Sequence, residues 1–259
     1  MTIQVDPDWW KTLFDEVYLL TDSRSVEDND VTRREIDLFT ALVPMKPEQH
    51  ILDLCGGHGR HAFELCRRGF SGCTVLDYSK PLIDIGRQKA ATLEESVQFV
   101  QGDARNTRLS SESFDHVLIL GNSLGYMDEP DADLHILQES QRLLKPGGWL
   151  LLDVTNGEAV RKKICPQAWH EIGGDIVVCR QREVQGTRIA ARELVLSKTK
   201  GIIRDSTYGI RLYAAAQLTD LVGRAGFVDT DVHTDASAIS SAADVGCMNH
   251  RLVIAARKP

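Results

Sequence analysis

The sequence predicts an α/β fold, a doubly wound parallel sheet with an antiparallel β cap inserted after its fifth strand, and three observations predict it. Short apolar runs alternate with amphipathic helical stretches between residues 50 and 153, the spacing of crossover connections between parallel strands. The first run, ILDL, empties into a glycine-rich turn that opens directly into a helix. Beyond residue 153 the alternation stops, and long extended segments follow one another with only short polar turns between them.

Taken in order, strands are expected at 50–54, 72–76, 97–101, 116–120 and 149–153. Helices fall between them at 60–68, at 81–91 behind the capping hydroxyl of Ser79, and at 131–144 ahead of the turn Lys145-Pro146-Gly147-Gly148. The segments 172–182, 188–199 and 202–213, separated by Gln185-Gly186 and Lys200-Gly201, read as an antiparallel meander. A helix at 214–225, stopped by Gly226, and strands at 228–233 and 251–256 bring the main sheet to seven strands. The chain then divides into an N-terminal helical lid (1–45), a ligand-binding domain (46–164 and 214–259) and the β cap (165–213).

With 259 residues, 42% of them hydrophobic and 26% charged, the chain has the makeup of an ordinary globular protein with a full core. No apolar stretch is long enough to span a bilayer, and residues 1–8 have neither a basic start nor an apolar run, so a cytoplasmic protein without membrane attachment is expected. The six cysteines (Cys55, Cys66, Cys73, Cys165, Cys179, Cys247) show no C-x-x-C spacing and read as reduced, mostly buried thiols. A net charge of −7 disfavours nucleic acid as a partner. The excess is local, ten acidic against four basic residues through Thr40, and marks either a solvated face or an attraction for a cationic substrate.

Gly56, Gly57 and Gly59 allow backbone to approach a ligand closely, and the amides of the following helix turn their positive end toward the loop. Gly57-x-Gly59-x-x-Ala62 also satisfies the dinucleotide pattern, so an NAD(P)-dependent oxidoreductase is one reading, with the absence of a Tyr-x-x-x-Lys pair against its short-chain type. Asp77 ends the second strand 18 residues beyond Gly59, placed to accept from ribose hydroxyls. Asp103 follows the third strand in QGDA, suited to an exocyclic adenine amine, and the small polar loop GNSLGY follows the fourth. Any one aspartate reads equally well as a cap or turn residue, whereas several at successive strand ends point to one ligand edge.

In this order, LDLCGGHGRH, VLDYS, VQGDA, FDHVLILGNSLGY, LLKPGGWLLLD and RLYAAAQLTDLVGRAGF resemble the class I S-adenosylmethionine-dependent methyltransferases of the bacterial small-molecule type, from about Asp53 onward. The resemblance implies a Rossmann-like sheet ending in an antiparallel hairpin, S-adenosyl-L-methionine as cofactor, and methyl transfer to an O or N atom of a small molecule or peptide. It sets Asp53 and the Cys55, Gly56, Gly57, Gly59 loop against the methionine part, Asp77 on the ribose, and Tyr78 against the adenine, with Ser79 also among the cofactor contacts. Asp103 and Ala104 would meet the adenine edge, and Gly121, Asn122 and Ser123 would line the sulfonium side. Cys55 stands where many members carry glycine. A non-catalytic regulatory protein that keeps the cofactor site is the remaining alternative.

On the acceptor side, Trp10, Phe14, Val17 and Tyr18 share one helical face, which the resemblance makes a lid with Tyr18 against the cofactor and which packing against the sheet also explains. Arg33 and Arg34 start the next helix, and Arg34 is assigned to the cofactor carboxylate. Tyr126, Arg211 and Tyr213 are the expected catalytic and acceptor-pocket residues, with Arg211 pairing a substrate carboxylate or else facing water. His58 and His61 lie beside the loop without a spacing that gives them a role, and His135, His170 and His233 read as solvent or packing residues. No His/Cys/Asp cluster has metal-ligand spacing, so no metal is expected. GNSLGY does not match the [DNS]-P-P-[YFW] of enzymes that methylate nucleic-acid bases, leaving a small molecule or peptide as acceptor, with the cap as a substrate cover or a homodimer surface.

Overall fold

A central strand of a parallel sheet is covered on both faces, and His50–Leu54 (β1) is buried at every residue but its first. Around it the computed structural model, which describes residues 2–234 and 250–259, builds two sheets. Cys247 lies outside the described residues. The helices of the N-terminal part are α1 (Glu16–Thr21), α2 (Ser23–Val26) and α3 (Asn29–Leu42), preceded by a 3₁₀ turn at Trp9–Lys11. The alternating part contains α4 (Arg60–Arg67), β2 (Gly72–Asp77), α5 (Lys80–Leu93), β3 (Gln98–Gln101), β4 (Phe114–Ile119), α6 (Ala132–Leu143), β5 (Leu144–Thr155) and α7 (Gly157–Lys163). Four strands then form the cap, β6 (Gln167–Ile172), β7 (Ile176–Gln185), β8 (Arg188–Ser197) and β9 (Gly201–Arg211), before α8 (Ala215–Arg224), β10 (Val228–His233) and β11 (Arg251–Arg257) return to the main sheet.

The main sheet has the order β10-β11-β5-β4-β1-β2-β3, parallel from β5 to β3 and antiparallel at β10 and β11. The expected α/β class and the inserted antiparallel cap are both present. The cap holds one strand more than expected: β6 pairs with β7, so it is a four-stranded sheet rather than a three-stranded meander. Its alternation of Trp169 and His170 with polar neighbours is too weakly apolar to read as a strand, because it is an edge with little to bury. The turn expected at 145–148 is instead the entry of β5, where the register against β4 shifts. Gly148 is required there, since a Cβ would fall 2.8 Å from the Asp115 carbonyl oxygen.

Local chemistry accounts for the helix starts. Asp28 caps α3 by accepting from the amides of Asp30 and Val31, and Ser79 caps α5 by accepting from Leu82 with Pro81 in the first turn. The single amphipathic helix expected over Trp10 to Tyr18 is divided, ending as a 3₁₀ turn and restarting at α1 behind Asp15, which caps Val17 and Tyr18.

Both ends of the cap join the molecule at the carboxyl end of β5. Asn156 bridges to Tyr213, and the Gly157 amide donates to the Tyr213 carbonyl at 2.9 Å. The cap therefore stands over the carboxyl ends of the parallel strands, and the N-terminal segment is wedged between the two. The Ile3 amide donates to Glu183 (2.7 Å) and Arg204 pairs with Asp15 on the cap side, while the Ser79 hydroxyl donates to the Phe14 carbonyl (2.6 Å) on the sheet side.

Where β5 meets β11, Arg251 forms a fully enclosed ion pair with Asp153, its Nε donating at 2.6 Å. Asp153 also accepts from the Gly121 amide at 3.3 Å, and its carbonyl accepts from Asn122 at 3.0 Å. Removing one member leaves a buried charge uncompensated, so Asp153→Ala is expected to lower unfolding stability by about 3–5 kcal/mol in urea denaturation.

Candidate functional site

The carboxyl ends of β1, β2, β4 and β5 open into one large cavity roofed by the N-terminal segment and the inner face of the cap. Its floor is the turn after β1. Cys55 and Gly57 both take left-handed backbone (φ 60° and 58°), and so do Gly121 and Asn122 across the crevice after β4 (φ 68° and 66°). Non-glycine residues in this region are strained, and here two of them face each other over the same opening. Gly56 is needed for a different reason, because a Cβ would fall 2.5 Å from Asp53 Cγ.

Asp53 is 1% exposed, and neither of its oxygens has a hydrogen-bond partner among the described residues. Burial pushes its carboxyl up to about 7; Arg60 works against this shift and Asp77 adds to it. Asp77 is better served: one oxygen accepts from the Gly57 amide and the other from Ser79, both at 2.8 Å. Burial still raises its carboxyl, against the pull of those amides. Asp103, at the end of β3, is held by Arg105 in a two-pronged pair with contacts of 2.7 and 3.1 Å, and Arg105 lies over the Trp10 ring.

Of the residues singled out in the sequence, Tyr18, Asp53, Cys55, Gly56, Gly57, Asp77, Tyr78, Asp103, Ala104, Gly121, Asn122, Ser123 and Tyr126 line the cavity together. Trp10 and Phe14 line it as well, whereas Val17 does not.

Five of the expected cofactor and acceptor residues do not line it either. Gly59 is the left-handed N-cap of α4, and a Cβ there would meet the Phe99 ring at 2.7 Å, so its task is helix-to-strand packing. Ser79 spends its hydroxyl on the α5 cap and on Phe14. Arg34 lies exposed inside α3 rather than at its start. On the sheet side the arginine that does line the cavity is Arg60, held by Glu35 and by the Thr32 hydroxyl at 3.0 Å. Arg211 and Tyr213 both turn to the buried carboxylate of Asp133, which also accepts from the Gly125 amide at 3.0 Å. Through Asp133 they fix the β4 loop.

Tyr126 is in the cavity, stacked on Phe14 (5.5 Å between centroids, 22° between planes) and 5.0 Å from Trp9. Burial pushes its phenol well above its ordinary range, so it remains protonated. The Cys55 thiol is likewise pushed up by burial. Burial and Arg60 lower His61 to about 4, and its Nε2 lies 3.0 Å from Glu35, an acceptor that makes the ring a neutral donor at neutral pH. The polar cap residues at this cavity, Arg180, Arg182, Glu193 and Tyr208, are not among those expected from the sequence. Their signal was two arginines at spacing two, on the same strand face as Val178.

Comparison with known proteins gives a consistent picture. Residues 51–148 match the family model described as a methyltransferase domain. A demethylmenaquinone methyltransferase of Staphylococcus epidermidis is 34% identical over 129 residues, 49% of this chain and 50% of that protein. A ubiquinone/menaquinone biosynthesis C-methyltransferase of Rhodopseudomonas palustris is 32% identical over 44% of this chain and 46% of its own length. The chain thus spans about half the length of the curated relatives it matches. Among solved structures, the CcbJ methyltransferase of Streptomyces caelestis superposes with a TM-score of 0.76 at 22% identity, covering 98% of this chain and 99% of that one. The sugar N-methyltransferase KedS8 of a Streptoalloteichus species reaches 0.70 at 18% identity over 100% and 96%. At these identities the likeness is one of fold.

Asp53 has a consequence for stability. Its folded-state pKa lies above its unfolded value, so its contribution is full below about 4 and is lost as pH rises through about 7. In the ligand-free protein, Asp53→Asn is expected to remove that loss, the variant gaining about 2–3 kcal/mol on the wild type between pH 5 and pH 8 in denaturant melts.

Proposed function

We propose that this chain, which carries a class I S-adenosylmethionine-dependent methyltransferase domain, moves a methyl group from S-adenosylmethionine to the amine of a small molecule enclosed beneath the cap. The observation that carries the reading is the continuity of one cavity from the unpartnered Asp53 carboxylate to the aromatic roof and the inner face of the cap. The residues present suit the cofactor. Asp53 lacks a donor that an ammonium group would supply, Gly56 leaves the approach to it clear, and each Asp77 oxygen keeps a lone pair for a ribose hydroxyl. When bound, S-adenosylmethionine supplies a methyl group on a positively charged sulfur.

The chain's own part is enclosure and alignment. Trp9, Phe14 and Tyr126 pack over the cavity and exclude water, and the Asp133 cluster holds the β4 loop that carries Tyr126. Holding an acceptor in line for displacement accounts for much of the rate in such a reaction. A hydroxyl acceptor needs a base. Tyr126 and Cys55 hold their protons, and His61 spends its Nε2 on Glu35, which favours an amine that is nucleophilic once neutral. A second reading, transfer to carbon of a quinone-like ring, draws on the aromatic roof and on the activities named for the two relatives.

Calorimetry is expected to show binding of S-adenosylhomocysteine, weakened by about 2 kcal/mol or more in Asp77→Ala. Tyr126→Phe should keep kcat within roughly tenfold, since its phenol removes no proton in this scheme. Labelled methyl from S-adenosylmethionine should enter amine-bearing metabolites. Label found on ring carbon by NMR would select the second reading, and no label in any compound would overturn both.

A further inference from the structure

The inner face of the cap is built from alternate residues of three strands. Val178, Arg180 and Arg182 of β7 stand opposite Val195, Glu193 and Ala191 of β8, and Arg204, Ser206 and Tyr208 of β9 lie beyond these. The cations on this face are satisfied, with one exception. Arg180 donates to Glu193 at 2.7 Å and to Asp22 at 2.9 Å. Arg204 is taken up by Asp15 and the Leu13 carbonyl.

Arg182 is 9% exposed and lines the cavity, yet its guanidinium makes no hydrogen bond or ion pair among the described residues. Its backbone amide is fixed to the Pro166 carbonyl at 2.7 Å, and its cross-strand neighbour Ala191 is too small to fill the space beside it. Its unpaired nitrogens keep their accessible surface toward the cavity, where an anion could take them on two parallel bonds. A second donor at the same end of the cavity is also unanswered: the Trp9 indole N–H is buried without an acceptor among the described residues, and its ring packs 5.8 Å from that of Tyr208.

We infer that Arg182 is the acceptor-recognition residue, and that the methyl acceptor carries a carboxylate which pairs with the Arg182 guanidinium within reach of the Trp9 N–H. The charge count selects this class. Asp22 and Glu193 both pair with Arg180, so Arg182 has no carboxylate of its own, and the four charges together sum to zero; a single planar carboxylate, taken by the guanidinium on two parallel bonds, adds the least charge to them. A dianionic phosphate would bring twice that negative charge beside Glu193. The role first expected of Arg211 thus passes to a residue 29 positions earlier, because Arg211 is already spent on Asp133.

This inference rests on the methyltransferase reading, and one experiment separates the two. The wild-type protein is incubated with S-adenosylmethionine labelled in its methyl group and a small-molecule cell extract, before and after the extract is depleted on an anion exchanger. The labelled product is expected to need the retained fraction and to carry a carboxylate by mass spectrometry. With that fraction as substrate, Arg182→Gln should raise KM by roughly 30-fold or more, Arg182→Lys should recover part of the loss, and the Kd for S-adenosylhomocysteine should be unchanged in both. Full labelling with the depleted extract, or an unaltered KM in Arg182→Gln, would overturn the assignment. Loss of S-adenosylhomocysteine binding in both Arg182 variants would also overturn it, since Arg182 would then serve the fold or the cofactor. No labelled product from any fraction would overturn the methyltransferase reading, and this assignment with it.

Discussion

Parallel pairing of β1 with β2 on one side and β4 on the other is the constraint on which the rest of this structure depends. Strand order reverses there, so the connections leaving β1 and β4 diverge to opposite faces of the sheet and leave a crevice between them. Into that crevice β1 delivers Asp53, buried and without a donor among the described residues, and the chain must then turn sharply past it. The turn tolerates no side chain at position 56 and forces left-handed backbone at Cys55. Stability is given up at this point, and the parallel sheet on either side holds the geometry.

A second level of organisation encloses the crevice. The cap leaves and rejoins the fold at the end of β5, which fixes its position, while the N-terminal segment closes the remaining gap through contacts to both sides. The partly exposed ion pairs among them are each worth little in water. Burial of Trp9 and Trp10 against Met127 and Ala132 supplies the larger part, and the polar contacts set the register of the segment. Because Arg180, Arg204 and Glu183 of the cap bind Asp22, Asp15 and the Ile3 amide, the acidic excess near the N-terminus is in part internal wiring and not only a solvated face.

Polar groups divide along the same lines. Asp133 gathers Arg211, Tyr213 and the Gly125 amide, and Asp153 gathers Arg251 and the Gly121 amide, so each buried carboxylate that shapes the β4 loop is satisfied. The cavity groups without a hydrogen-bond partner among the described residues, Asp53 at one end and Arg182 with Trp9 at the other, have opposite character. Such a distribution separates what holds the site from what the site holds.

The local signals were sufficient for the α/β class, the strands and helices of the repeating unit, and the residues at the strand ends. A buried strand, a glycine turn and a helix cap are each set by neighbours a few positions away, and parallel strands carry whatever ends them to one edge. That is why Asp53, Cys55, Gly56, Gly57, Asp77, Asp103 and Gly121 to Ser123, all expected at one edge from the sequence, line one cavity. Partners distant in the chain were not legible. Arg34, Arg211 and Tyr213 have the right chemistry for a ligand, but helix phase turned the first outward and Asp133 claimed the other two. Arg60, Arg180 and Arg182 look like any charged residues in the sequence, and only the packing of the cap over the sheet decided which of them met a carboxylate and which was left facing the cavity. The sequence by itself determined the elements and the ligand edge, because those follow from short-range sterics and hydrophobic period. The tertiary structure alone decided the pairing of charges, because an ion pair depends on distance in space and leaves no periodic trace along the chain.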